Sequence, residues 1–239
     1  MRLATRSWGS GARRIQLVHG INGTSELWHD FAELLAARHD ATVTAVDLRG
    51  HGGSAHAEPG AYRVADFADD LVETLEPGAD RVIGHSLGGR VLATAVERLR
   101  PARAVYLDPG FRLALTPRSP LGWALEHLPG TPAALAWLFT RGTPGLDAEN
   151  RARFARSSAA WDRRMVRPVF VELMRSPLPV APPAVPSTVV RGPDSILVRP
   201  GHAHELAAAG WEVRDFPGAK HDMATLDPAG TEALLRDRL

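Results

Sequence analysis

An apolar strand pattern that ends in Gly84-His85-Ser86-Leu87-Gly88-Gly89 and passes at once into a helical pattern leaves this chain few ways to fold. A chain reversing that sharply crowds the backbone around the serine, and only residues without a Cβ fit beside it, which accounts for the glycines on either side. Leu87, Val91, Leu92, Ala95, Val96 and Leu99 recur at helical spacing, so a helix packs back onto the strand. Its positive N-terminal end then lies under Ser86, where developing negative charge is favoured. In isolation Gly-x-Ser-x-Gly reads as a surface turn. Between a strand and a helix it predicts a strained turn with the Ser86 hydroxyl exposed at the sheet's upper edge, a nucleophile elbow.

Around this elbow strands and helices alternate. Short apolar runs at 2–8, 14–19 and 42–46 read as strands, followed by 81–83, which feeds the elbow, and 104–107 after the elbow's helix. Helical faces appear at Leu27, Phe31, Leu34 and Leu35, with Ser25 as N-cap, and again at Val64, Phe67, Leu71 and Leu75. Strands separated by single helices imply an α/β fold with a mostly parallel sheet, whose chemistry gathers at the strands' carboxyl ends.

The rhythm breaks at 110–186. No strand pattern appears there; helical stretches run past Trp123, Leu125 and Leu128, from Leu135 to Phe139, and from Phe154 to Met174, before the Pro177, Pro179, Pro182, Pro183 and Pro186 cluster forbids regular structure. We expect a core of residues 1–109 and 187–239 with an inserted helical cap, or lid, at 110–186. Alternation then resumes with a strand at 188–191, a helix at 200–209, a strand at 212–216, a loop at 217–223 and a helix from Pro228.

Composition narrows the chemistry. The 239 residues carry a formal net charge of +1, which gives no reason to expect nucleic acid or a membrane surface as partner. Cysteine is absent, removing disulfides, thiolate catalysis and Cys-ligated metals together. Residues 1–14 contain no apolar signal core, and no stretch approaches the ~20 apolar residues of a membrane span, so a cytoplasmic location is the expectation. Lys220 is the only lysine against many arginines, which reads as coding bias of a GC-rich bacterial genome.

A serine hydroxyl is a poor nucleophile at neutral pH. A neighbouring imidazole must take its proton, and a carboxylate must hold that imidazole in the right tautomer. His221, in the glycine-containing loop after the last strand, is the expected base. His85 adjoins the serine but should point away from it, and the His202, His204 pair lacks a third metal ligand at useful spacing. Two strand ends offer the acid, Asp108 and Asp194, and both keep the chain order Ser, Asp, His. The oxyanion hole needs two backbone N–H groups aimed at one point: Leu87 supplies one, and the glycine-rich loop 19–23 the other, from Ile21 or else Asn22. His19 is expected to brace that loop.

Taken together, His19-Gly20-x-x-Gly23, Asp47-Leu48-Arg49-Gly50-His51-Gly52-Gly53-Ser54, Gly84-His85-Ser86-Leu87-Gly88-Gly89 and Gly218-x-x-His221-Asp222 resemble the α/β-hydrolase superfamily, in order and over nearly the whole chain. The resemblance implies a helical cap where one is expected, and a structural rather than dinucleotide-binding role for the Gly50–Ser54 run. A serine nucleophile sets the chain apart from the aspartate-using dehalogenases and epoxide hydrolases of this fold. Many members carry the acid three residues after a glycine following the seventh strand, where this chain has Ser195. Others place it after the sixth strand in a phrase like Tyr106-Leu107-Asp108-Pro109, which favours Asp108 over Asp194. The implied activity is hydrolysis of an ester, lactone or thioester of a small-molecule acyl substrate, with no metal or organic cofactor. Trp123, Trp137, Phe139, Phe154, Trp161 and Met165 are candidates to line an apolar acyl pocket, and the arginines at 141, 151, 153, 156, 163, 164 and 167 to meet an acidic group, against the plainer reading of helix packing and solvated charge. The rival readings are a lyase, cyclase or carbon–carbon bond hydrolase, and a ligand receptor that has kept the fold.

Overall fold

Side-chain alternation along the central strands decides which layer each residue serves. The computed structural model describes residues 1–58, 60–139 and 145–239, the side chains of Leu138 and Phe139 excepted. In it β2 (Arg13–Val18) turns Ile15 and Leu17 to one face of the sheet and Val18 to the other. β4 (Arg81–His85) splits Ile83 from Val82 in the same way, and β5 (Arg103–Leu107) splits Val105 and Leu107 from Ala104 and Tyr106. The first face packs on α1 (His29–His39) and α10 (Pro228–Leu235) through Phe31, Leu35 and Leu235; the second packs on α2 (Val64–Thr74) and α3 (Leu87–Leu99) through Phe67, Leu71, Val91 and Leu92. Both faces are apolar because both are covered, as a parallel sheet requires.

The sheet has seven strands in the order β1-β3-β2-β4-β5-β6-β7, with β1 (Thr5–Trp8), β3 (Ala41–Val46), β6 (Ser187–Arg191) and β7 (Glu212–Asp215) completing it. Among the described residues β1 alone is antiparallel to its neighbour, and the other five pairings are parallel. The register pairs Val18 with Gly84, His85 with Leu107 and Leu107 with Val190. Those pairings bring loop 19–23, Ser86, Asp108 and the turn after β6 out of the sheet side by side at one rim.

Between β5 and β6 the chain runs through α4 (Pro120–His127), α5 (Gly130–Phe139), α6 (Ala148–Ala159) and α7 (Val166–Arg175). The helix expected from Phe154 to Met174 is therefore two helices joined by a 3₁₀ turn, Arg163–Met165. A contact distant in sequence causes the break. Gly52 N–H donates to Ala160 O and Asp162 N–H to Gly50 O, each at 2.7 Å, so the 50–52 loop takes backbone groups that a continuous helix would have used internally. Asp162 then caps the next turn by accepting from Arg164 N–H at 3.0 Å.

Arg153 reaches Asp30 at 2.6 Å and Arg156 reaches Glu26 at 2.6 Å, so α6 is tied to the first helical segment by its arginines. The proline-rich return lacks regular structure; Leu178 N–H donates to Phe111 O, and Trp211 Nε1 to Ala181 O, both at 2.8 Å. Smaller departures are local. Thr24 rather than Ser25 caps the first helical segment, which opens as a 3₁₀ turn, Ser25–Trp28, and the free N–H of Ser25 donates to Asp47. After β7 the loop passes into a short helix α9 (Met223–Leu226), and α8 (Pro200–Ala208) packs beside β7. No helix among the described residues is long and apolar enough to cross a membrane.

Candidate active site

Ser86 sits between β4 and α3 at φ +53°, ψ −117°, a conformation that costs a non-glycine residue roughly 1–3 kcal/mol. Its surroundings hold it there: Ser86 N–H donates to Leu107 O at 3.0 Å, and Ser86 O accepts from Gly89 N–H at 3.1 Å and Gly110 N–H at 2.8 Å. The flanking glycines answer to contact rather than to flexibility. A Cβ at Gly84 would lie 2.7 Å from Gly88 O, and one at Gly88 would lie 2.4 Å from both Val18 O and His19 O. The start of α3 is thus pressed directly beneath the end of β2, and Ser86 is half-buried below loop 19–23.

His221 Nδ1 lies 2.6 Å from Asp108 Oδ2. Asp108 follows β5 at φ +40° and is 3% exposed, so its carboxylate is aimed by backbone geometry and shielded from water. Desolvation by the groups packed on one side of the His221 ring opposes its charged form, but the hydrogen bond and charge of Asp108, with Asp222 adding to them, carry its pKa above the ordinary imidazole value. For Asp108 burial acts upward, and His221 and Ser195 outweigh it and leave the carboxyl below its usual range. Ser195 donates its hydroxyl to Asp108 Oδ1 and accepts from Val198 N–H at 2.8 Å. Asp194, the other candidate acid, stands exposed in the same turn, with its neighbour and not itself turned to the His221 partner.

Loop 19–23 is held from three sides. Leu48 N–H donates to His19 Nε2 at 3.0 Å, so the proton of this ring is on Nδ1, which donates to Gly20 O at 2.7 Å. Burial drives the His19 pKa down to about 3, which keeps the ring neutral and this tautomer fixed. Gly20 O also accepts from Gly23 N–H at 3.1 Å. In a trans peptide the N–H points opposite its carbonyl, so both bonds orient the Ile21 amide. His51 Nε2 lies 2.6 Å from Ile21 O, and the His51 ring stacks on Trp161 at 6.1 Å and 10°. Asn22 lines a small cavity next to the loop. The Leu87 amide, at the first position of α3, has no hydrogen-bond partner among the described residues.

The Asp47–Ser54 run is consumed by the fold. Asp47 accepts from Ser25 N–H at 2.6 Å and Gly53 N–H at 2.9 Å, and a Cβ at Gly52 would lie 2.3 Å from its carboxylate. Arg49 grips the buried Asp70 through two hydrogen bonds of 2.6 and 2.8 Å. Asp69 and Asp70 stand at the distance where a dinucleotide fingerprint would carry its acid, but Asp70 is held by Arg49 and the Met1 amine, and Asp69 pairs with Arg98.

A model of the alpha/beta hydrolase family matches residues 17–234. The chain belongs to that family. Among sequence relatives in this alpha/beta hydrolase family, a 2-(acetamidomethylene)succinate hydrolase of Mesorhizobium japonicum is 39% identical over 99 residues, 40% of this chain and 34% of the relative. The lipase LipV of Mycobacterium tuberculosis is 35% identical over 110 residues, 44% of this chain and 40% of the relative. The chain thus spans between a quarter and two fifths of the length of the curated relatives it matches. Among solved structures, the enol-lactonase of Burkholderia xenovorans superposes with a TM-score of 0.74 at 22% identity, covering 98% of this chain and 95% of that one. A thioesterase domain from the curacin biosynthetic pathway gives 0.70 at 21%, covering 97% and 94%. Likeness at that identity is likeness of fold.

The structure brings Ser86, Asp108, His221, Ile21 and Leu87 to one rim. The suggested acyl-pocket residues divide: Phe154, Trp161 and Met165 are buried, whereas Trp123 and Trp137 are exposed at 51% and 57%. The side chain of Phe139, and Arg141, lie outside the described residues. Arg153, Arg156 and Arg164 pair with Asp30, Glu26 and Asp162, so these three meet acids of the chain itself. Two residues beside this rim carry contacts that their spacing alone does not announce: Ser195, in Gly192-x-x-Ser195, bonds Asp108, and His85 bonds the backbone of His221.

Proposed function

We propose that this alpha/beta hydrolase cleaves a carboxylic ester, lactone or thioester through an acyl-enzyme, with Ser86, His221 and Asp108 as the triad. The observation that carries the proposal is the 2.6 Å contact between His221 Nδ1 and the shielded Asp108 carboxylate, at the rim where the strained Ser86 emerges. With Nδ1 engaged, Nε2 is the nitrogen left for the nucleophile, and the His221 side chain is 43% exposed, open to a substrate.

In the proposed sequence Ser86 Oγ attacks the carbonyl carbon as His221 Nε2 takes its proton. The tetrahedral oxyanion is held by the Leu87 and Ile21 N–H groups, with the α3 N-terminus behind them. His221 returns the proton to the departing alkoxide or thiolate. Water, deprotonated by the same ring, then releases the acid. Asp108 stays ionised throughout and stabilises the imidazolium. Residues 110–186 act as a cap over the core formed by 1–109 and 187–239. The hydrolase, lipase, lactonase and thioesterase names of the relatives and structural neighbours support the reaction class and leave the leaving group open.

The test is covalent labelling with a fluorophosphonate probe. Native protein is expected to label at Ser86, and heat-denatured protein and Ser86→Ala are not. Ester turnover should fall on the order of 10⁴–10⁶-fold in Ser86→Ala. Turnover that persists in that variant, or products without an oxygen from water, would assign the site to lyase or cyclase chemistry instead.

A further inference from the structure

His85 lies between three parts of the site and belongs to none of the roles assigned above. Its Nε2 is 3.0 Å from the backbone carbonyl of His221, and the two rings sit 4.6 Å apart at 48°. On its other side loop 19–23 closes in: a Cβ at Gly20 would come within 3.2 Å of His85 Nδ1 and 3.1 Å of Ser86 Cβ. Beyond that, His85 borders a cavity of about 20 Å³ with Asn22, Asp222 and Thr225. One side chain therefore touches the loop that carries the base and the loop that carries an oxyanion donor, and it is covalently next to the nucleophile.

We propose that His85 is a positioning residue for His221: as a neutral donor it fixes the His221 carbonyl, and as a ring it limits where the His221 imidazole rests. This rests on the reading of His221 as the base. A carbonyl can only accept, so Nε2 carries the proton and Nδ1 has a lone pair. Burial, with the neighbouring His221 ring, pushes the His85 pKa down to about 4, so the ring stays an uncharged donor at neutral pH. The loop from Pro217 to Asp222 leaves β7 through Gly218 at φ +76°, is anchored by Ala219 N–H donating to Phe216 O at 3.1 Å and by the His221 ring on Asp108, and receives the His85 bond at the backbone of His221 itself. The imidazole of His221 must keep its place on Asp108 while a proton crosses to and from Ser86, and a misplacement of about 1 Å at such a step costs on the order of 10²-fold in rate. A bond to the His221 backbone supplies that constraint without touching the substrate.

The experiment compares His85→Leu, which keeps bulk and loses the donor, with His85→Gln, whose amide N–H reaches the same carbonyl, using p-nitrophenyl butyrate. The expected result is a kcat at least tenfold lower in His85→Leu with KM within twofold of wild type, and a kcat within about threefold of wild type in His85→Gln. The rate of fluorophosphonate labelling of Ser86 should fall in the same proportion. Should His85→Leu fail to fold, His85→Met carries the same comparison. Wild-type kcat in the apolar variant overturns the proposal, as does an equal loss in the apolar and Gln variants, or a change confined to KM. Ser86→Ala is run alongside: an active Ser86→Ala removes the hydrolase reading itself, whereas an inactive one beside a fully active His85→Leu removes only the role of His85.

Discussion

The hydroxyl of Ser195 donates to the carboxylate of Asp108, on the oxygen that His221 does not use. Val198 N–H in turn donates to the Ser195 oxygen at 2.8 Å, which holds that oxygen beside the acid. A hydrogen bond to a charged group contributes about 1.5–3 kcal/mol. We expect Ser195→Ala to lower kcat/KM roughly tenfold and to raise the Asp108 pKa. Unchanged steady-state kinetics in that variant would make the contact incidental.

Which carboxylate serves His221 is open to a direct comparison. Asp108→Asn should cost about 10⁴-fold in kcat, the scale expected when the imidazole loses the partner that sets its tautomer. Asp194→Asn, at an exposed position, should leave kcat/KM within about twofold of wild type. The reverse ranking would transfer the role to Asp194.

The pH dependence follows from the direction of the His221 shift. The base works when neutral, so kcat/KM should rise with pH through a His221 pKa lying above the ordinary value of about 6.5. Stability runs the other way. A raised folded-state pKa means that the pairing with Asp108 contributes fully below about pH 6.5 and fades as pH climbs through the folded value. At the acid end the depressed Asp108 pKa gives the opposite limit, with the contribution lost as that carboxylate protonates. A pH–rate profile with its acidic limb below 6, or a wild-type to Asp108→Asn difference in Tm that grows from pH 6 to pH 9, would contradict this assignment.

Gly88 offers a test of how tightly the elbow is packed. Its Cβ would strike two backbone oxygens, Val18 O and His19 O, at 2.4 Å, and neither is the end of a flexible side chain. Gly88→Ala is expected to lower stability by about 3 kcal/mol, at the upper end for overpacking, in urea denaturation. Gly201→Ala, where a Cβ meets nothing within 4 Å, is the control and should be near neutral.

Much of this arrangement is legible from sequence because its determinants are local. Gly84, Ser86 and Gly88 announce the elbow as a five-residue pattern, even though the close contacts of Gly88 are with Val18 and His19 on the neighbouring strand, and the apolar Val82 and Ile83 announce the strand feeding it. The acid is harder to read. Asp108 and Asp194 both follow strands, and what separates them is the aim of the Asp108 carboxylate from a left-handed backbone, a property of the packed turn. The break between α6 and α7 is hidden for a similar reason: Phe154, Trp161, Met165, Val169 and Leu173 preserve an apolar pattern across it, while the disruption comes from Gly50 and Gly52, more than a hundred residues earlier. Ser195 and His85 were each visible as letters, but their partners are supplied by the fold.

At residue 86 the backbone turns in a way that suits glycine and is imposed on serine. A Ser86→Gly protein should therefore melt at a higher temperature than the active one while turning over nothing. Durability and reactivity are opposed at that single position, and a copy of this gene freed from selection for turnover would have a thermodynamic incentive to give up its hydroxyl first.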